Sequence, residues 1–210
     1  MTRVHRFGSV LLIALLGSVA APAIAQTAED DTAVVGFNLL GPAFGLYSGS
    51  FEQALDDYLS IFLIPSYLNP QAGIFDPLAS RRHIEPEDYE VWSLSVAAGA
   101  HYFVNGLAPT GVFAGVWLQP GYGSFRFDAT ALDPKGDRRP VDGSTVLLGA
   151  GAHVGYRLIW DPVSITPRVG VSYQLALNDA SGFHPDMKNL AGSVKTGLQF
   201  PWGIEVGIAF

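Results

Sequence analysis

Apolar residues recur at every second position through this chain, in runs too long for the strands of an ordinary soluble protein. From Tyr89 to Val104 the even positions Trp92, Leu94, Val96, Ala98, Ala100, Tyr102 and Val104 are apolar, while Ser93, Ser95, Ala97, Gly99 and His101 between them are small or polar. The split recurs over 144–160, where Val146, Leu148, Val154, Tyr156 and Trp160 alternate with Thr145, Gly149, Gly151, His153 and Arg157. It recurs again over 164–177 and over the closing stretch to Phe210. A period of two is the signature of extended strands whose side chains alternate between faces. Strands of soluble sandwiches are typically about 5–6 residues long, and their solvent face is rich in charge. Here the apolar face is continuous and the other face is mostly Gly, Ser and Ala. This fits strands whose greasy side meets hydrocarbon and whose small side fills a narrow interior.

The N-terminus supports an exported chain. Arg3 and Arg6 precede the apolar run from Val10 to Leu16, and Ala23-Ile24-Ala25 has the small-x-small form of a cleavage site. Residues 1–25 are therefore expected to be a signal peptide, 26–32 a short periplasmic segment and 33–210 a barrel. Cleavage would remove two Arg and no acid, taking the formal charge from −7 to −9, which disfavours nucleic acid as a partner. With no Cys in the chain, a disulfide framework is excluded, and stability must come from a closed backbone ladder or a large core. No later run reaches the roughly 18 apolar residues of a transmembrane helix.

Turn chemistry orders the strands. Asp56-Asp57, Asn105–Pro109 and Asp161-Pro162 read as tight connections, whereas 69–88, 128–141 and 178–188 are long and polar. Short turns on one side and long loops on the other suit a bacterial outer-membrane barrel, with the short turns periplasmic. The predicted strands are 33–41, 44–55, 58–68, 89–104, 110–126, 142–160, 164–177 and 189–210. The expectation is an all-β fold, a closed antiparallel eight-stranded transmembrane β-barrel, its last strand continuous with Pro201 at a bulge. Trp92 and Tyr122 are expected at an outer aromatic girdle, and Tyr102, Tyr156, Trp160 and Phe210 at an inner one.

With these features the chain resembles the small outer-membrane barrels of the OmpA, OmpX and OmpW kind. The opening GFNLLGPAFGLYSGSFEQ, with its early Asn38 and its Phe51-Glu52 pair, has the look of that class. The resemblance implies insertion by the barrel-assembly machinery through an aromatic C-terminal signal, here Trp202, Ile208 and Phe210. The pattern departs from that signal at Glu205, where Gly is usual, and at Ile208, where an aromatic is usual.

The inward charges are the candidate site. Asn38, Glu52, His101, Arg157, Arg168 and Glu205 each fall a few residues from a periplasmic strand end, with His153 and Lys195 further up. Ionised groups inside a narrow wall are costly unless paired, so they are expected to form a polar plug; a gate worked through His101 or His153 is the alternative. An eight-stranded barrel is about filled by its own side chains, which argues against a porin.

Other motifs carry less. The glycines of 149–155 fall on one face of an unbroken alternation with no helix following, so lumen packing rather than nucleotide binding explains them. His184 beside Asp186 reads as a loop feature, and no metal or cofactor site is expected. Arg81-Arg82-His83 and Lys135–Arg139 read as solvated loop faces that are candidates for lipopolysaccharide phosphates. The function expected is a non-enzymatic barrel, structural or surface-interacting, among outer-membrane lipids. The alternatives are a narrow carrier of small hydrophobic molecules entered laterally, a lipid-modifying enzyme and a soluble lipocalin-like barrel.

Overall fold

The alternation folds into a single sheet that closes on itself. In the computed structural model the described residues are 32–72, 89–127, 141–177 and 196–210. They form β1 (Ala33–Asn38), β2 (Leu46–Ala54), β3 (Leu59–Leu68), β4 (Tyr89–Phe103), β5 (Gly111–Phe127), β6 (Val141–Trp160), β7 (Val163–Ala176) and a last strand in two pieces, β8 (Gly197–Gln199) and β9 (Trp202–Ala209). Each strand pairs antiparallel with the next, and β9 returns to pair with β1 from Val34↔Ala209 to Asn38↔Glu205. Ala33 and Phe210 exchange both backbone hydrogen bonds at 2.9 Å. Counting β8 and β9 as one, the wall has eight strands and no open margin at this end. The predicted signal peptide, Lys195, His184 and most of the long loops lie outside the described residues.

The turns at the short-loop end have local causes. Asp56 Oδ1 accepts hydrogen bonds from the amides of Tyr58 and Leu59, both at 2.8 Å, an Asx turn that joins β2 to β3. The first strand stops earlier than its hydrophobicity predicts. Asn38 Oδ1 accepts from the amides of Leu40 and Gly41, and the chain turns through a 3-10 turn at Gly41–Phe44 that ends on Gly45 at φ 73°, a conformation that favours glycine. The last strand is not continuous. Pro201 accepts a bond from the Gly170 amide at 2.8 Å but has no N–H to return, so the ladder breaks at Phe200-Pro201.

Outside, the wall is apolar. Leu118, Val116 and Leu198 are 67%, 63% and 60% exposed, and Val154, Val171 and Leu148 face the same way. An apolar surface on this scale is not held in water; in a bilayer it is the solvated face. Trp92 packs on Tyr122 and Tyr58 on Tyr102, with ring centroids 5.8 Å and 5.9 Å apart, two aromatic contacts at opposite ends of the wall. The sequence reading did not include Tyr58.

Inside, glycines face aromatic rings across the ladder: Gly99 opposes Phe62, Gly155 opposes Phe113, Gly151 opposes Trp117 and Gly143 opposes Phe125. A β-carbon added at Gly99 or Gly143 would lie 2.7 Å or 2.8 Å from the ring of its partner. The small residues of the inward face therefore make room for large ones on the neighbouring strand. Because the chain has no Cys, facing is testable by single substitutions. Nitroxide-labelled before refolding into lipid vesicles, Leu118→Cys and Val154→Cys will be relaxed by membrane-dissolved oxygen, and Ser95→Cys, on the wall of the lumen cavity, will be relaxed far less; equal relaxation of all three would contradict the facing.

Candidate functional site

Near the short-turn end the lumen holds a layer of buried side chains. Phe103 and Phe113 are 0% exposed and their ring centroids lie 5.4 Å apart. Arg157, from β6, is 2% exposed and directs Nη2 to Glu52 Oε2 of β2 at 2.8 Å. Its Nε donates to Thr166 Oγ1 of β7 at 2.9 Å, and its guanidinium carbon sits 5.8 Å from the centre of the Phe113 ring. Glu52 Oε1 accepts a hydrogen bond from Ser60. Four strands thus converge on one carboxylate–guanidinium pair, whose two residues are 105 apart in the chain.

Two histidines extend this layer upward. His101 Nδ1 lies 3.0 Å from Glu52 Oε2, in ion-pair range though not aligned as a hydrogen bond. Its Nε2 is 2.6 Å from Nε2 of His153, so one of the two carries the shared proton. His101 stacks on Phe62 at 4.3 Å and against Phe113 at 4.4 Å, and His153 lies 4.9 Å from Trp117. Gly115 separates the two imidazoles in the ladder, paired with His101 on one side and His153 on the other.

The remaining candidates fall into a second group. Arg168 Nη2 is 3.5 Å from Glu205 Oε2, and Arg168 is the more exposed of the pair. Asn38 faces the lumen beside Glu205 in the ladder, but its side-chain oxygen serves the turn described above. Lys195 lies outside the described residues. Trp202 and Ile208 point outward, 62% and 57% exposed, and Phe210 is half-buried.

Above His153 the lumen opens into a cavity of about 250 Å³. Phe62, Ile64, Ala97 and Trp117 form an apolar cluster on one wall. Ser95 accepts a bond from Gln119 at 2.8 Å on the polar side. The sequence reading missed the aromatic members of this site. Phe62, Phe103, Phe113, Trp117 and Phe125 were legible from parity alone, since each shares the inward phase of His101 or faces a lumen glycine across the ladder.

A closed eight-stranded antiparallel wall, apolar outside and packed with polar and aromatic side chains inside, defines an integral outer-membrane β-barrel. No protein-family model matches the chain, and no curated protein matches it in sequence. Among solved structures it is similar to the attachment invasion locus protein Ail of Yersinia pestis, at 12% identity over 85% of this chain and 97% of that one, with a TM-score of 0.49. It is similar to the N-terminal β-barrel domain of Pseudomonas aeruginosa OprF, at 13% identity over 86% and 98%, TM-score 0.39. It is also similar to Neisserial surface protein A, at 13% identity over 85% and 95%, TM-score 0.43.

Proposed function

We propose that this protein is a non-conducting, non-enzymatic outer-membrane barrel whose lumen is plugged toward the periplasm and whose outer end meets surface molecules. The observation that carries the reading is the layer of Glu52, Arg157, His101, Phe103 and Phe113, each at most 2% exposed. Ion pairing, the Ser60 and Thr166 hydroxyls and the two packed rings of Phe103 and Phe113 support a lumen closed at that level. The cavity above it is blind under this reading, so transport across the membrane is disfavoured and binding at the outer face is favoured. Insertion by the barrel-assembly machinery through Trp202, Ile208 and Phe210, and contact of the basic loop faces with lipopolysaccharide, belong to the same proposal.

Planar-bilayer recording tests it. The purified barrel is expected to give no discrete conductance steps above leak. Glu52→Ala/Arg157→Ala/Phe113→Ala, which removes the centre of the layer, is expected to give steps if it still folds and inserts. Steps from the unaltered protein would overturn the proposal.

A further inference from the structure

The lumen cavity has a side entrance. β1 makes its last described backbone bond to β9 at Leu39 N–H to Ile204 O, 2.9 Å. Beyond it the chain leaves the wall through the 3-10 turn at Gly41–Phe44. On the other side β8 pairs with β7 alone, through Gly197, Leu198 and Gln199. Above Ile204, therefore, no described strand joins β8 and the end of β9 to β1 or β2. The Gly170–Pro201 bond holds the broken segment against β7, so the gap faces β1.

This gap lies between the lumen and the lipid face. A second cavity of about 250 Å³ lies in it. It touches lumen-side Asn38, Leu46 and Pro201 as well as lipid-side Phe44, Phe200 and Trp202, the last two 69% and 62% exposed. Asn38, Leu46, Pro201 and Trp202 also line the lumen cavity, so only those four residues separate the two spaces. Phe44 and Trp202 touch edge to face across the seam, with centroids 6.2 Å apart. Irregular backbone at membrane depth is tolerated where it lines a cavity or is covered by protein, and a portal meets that condition.

We propose that this seam admits a single-chain amphiphile with an anionic head from the surrounding membrane, its acyl chain lying against Phe62, Ile64 and Trp117. Size favours one chain. The two spaces are each below the roughly 300–1,000 Å³ of common ligand pockets, which suits one chain and leaves no room for a multiply acylated lipid. The head group is set by charge: Arg168 is the only formally charged side chain lining the lumen cavity among the described residues. Its hold on Glu205, at 3.5 Å, is loose. The inference rests on the blind-lumen reading only in that the chain is retained rather than passed through, and conductance decides that reading separately.

The test uses the full barrel in phospholipid nanodiscs, with doxyl-labelled palmitate as the probe and tryptophan quenching as the signal. Quenching is expected to saturate and to be reversed by unlabelled palmitate and by lysophosphatidic acid, but not by a diacyl phospholipid. A preference between the first two identifies the head. Gly203→Phe places a ring beside Asn38 at the lumen side of the seam, where an added β-carbon has no neighbour closer than 3.5 Å. It is expected to weaken binding about tenfold or more, with Gly203→Ala unchanged and heat-modifiable migration showing both folded. Quenching that rises linearly with probe and resists competition overturns the proposal, whether or not Gly203→Phe folds; so does saturable quenching that a folded Gly203→Phe leaves unaltered.

Discussion

Arg157→Met will destabilise the barrel by about 3–5 kcal/mol, the range for breaking one side of a buried ion pair, read as the shift in urea unfolding of the protein in lipid vesicles. The methionine keeps most of the volume, so packing against Phe113 changes little. What changes is the charge balance. Glu52 loses its 2.8 Å contact with Arg157 and retains Ser60 and the off-line imidazole of His101. Its carboxylate is then left buried, with no guanidinium in contact. Glu52→Gln alone will cost a comparable amount for the opposite reason, because the guanidinium stays buried and uncompensated.

The double variant Glu52→Gln/Arg157→Met will recover most of that loss, since a neutral pair in the same volume carries no desolvation debt. This cycle separates a plug that excludes water from one that only narrows the lumen. A loss below about 1 kcal/mol for either single variant is the behaviour of solvated pairs, and would mean that water reaches Glu52.

The period of two in the sequence carried the fold a long way, because lipid on one side and a narrow lumen on the other force the same sorting on every strand. Leu118, Val154 and Val171 are outward and His101 and Arg157 inward in register. Which inward groups touch was not legible in the same way. Glu52 and Arg157 meet through closure of the whole sheet, and the stagger of a barrel decides heights that strand-end counting only approximates. Asn38 shows the difference. Its parity placed it among the charges, but its side-chain oxygen is taken by two amides only two and three residues on, a local bond that competes with any lumen partner.

The end of the chain shows a second limit. Unbroken parity from Leu190 to Phe210 predicts one continuous strand, yet alternation reports facing and is blind to pairing. Pro201 keeps the inward phase while removing the one N–H that the ladder with β7 needs. The seam beside β1 follows from the early turn at Asn38, which ends β1 while the segment around Pro201 stays on β7. Neither feature changes the hydrophobic pattern, so neither was visible in it.

Gly115→Val will destabilise the barrel, and its effect has a specific rescue. A β-carbon at Gly115 would stand 2.8 Å from His153 Nε2, closer still to His101 Cδ2, and 3.1 Å from the carbonyl oxygen of Ala100. Rings on flexible side chains usually give way to such a contact. These cannot, because the 2.6 Å contact between them fixes their separation, and Phe62, Phe113 and Trp117 close the other sides. Overpacking of this kind costs about 1–3 kcal/mol and occasionally more, and valine, with two further carbons, belongs at the top of that range. Gly203→Ala has the opposite sign: its nearest neighbour would be 3.5 Å away, so relief of glycine's excess entropy in a strand should stabilise by roughly 0.5–1 kcal/mol. Pairing Gly115→Val with His101→Ala will restore part of the loss in urea unfolding, because the ring that blocks the new carbons is gone. Rescue by His101→Ala but not by a distant truncation such as Leu118→Ala would tie the damage to the imidazole pair. If the Gly115 and Gly203 variants unfold alike, close packing around the two histidines is not what Gly115 serves.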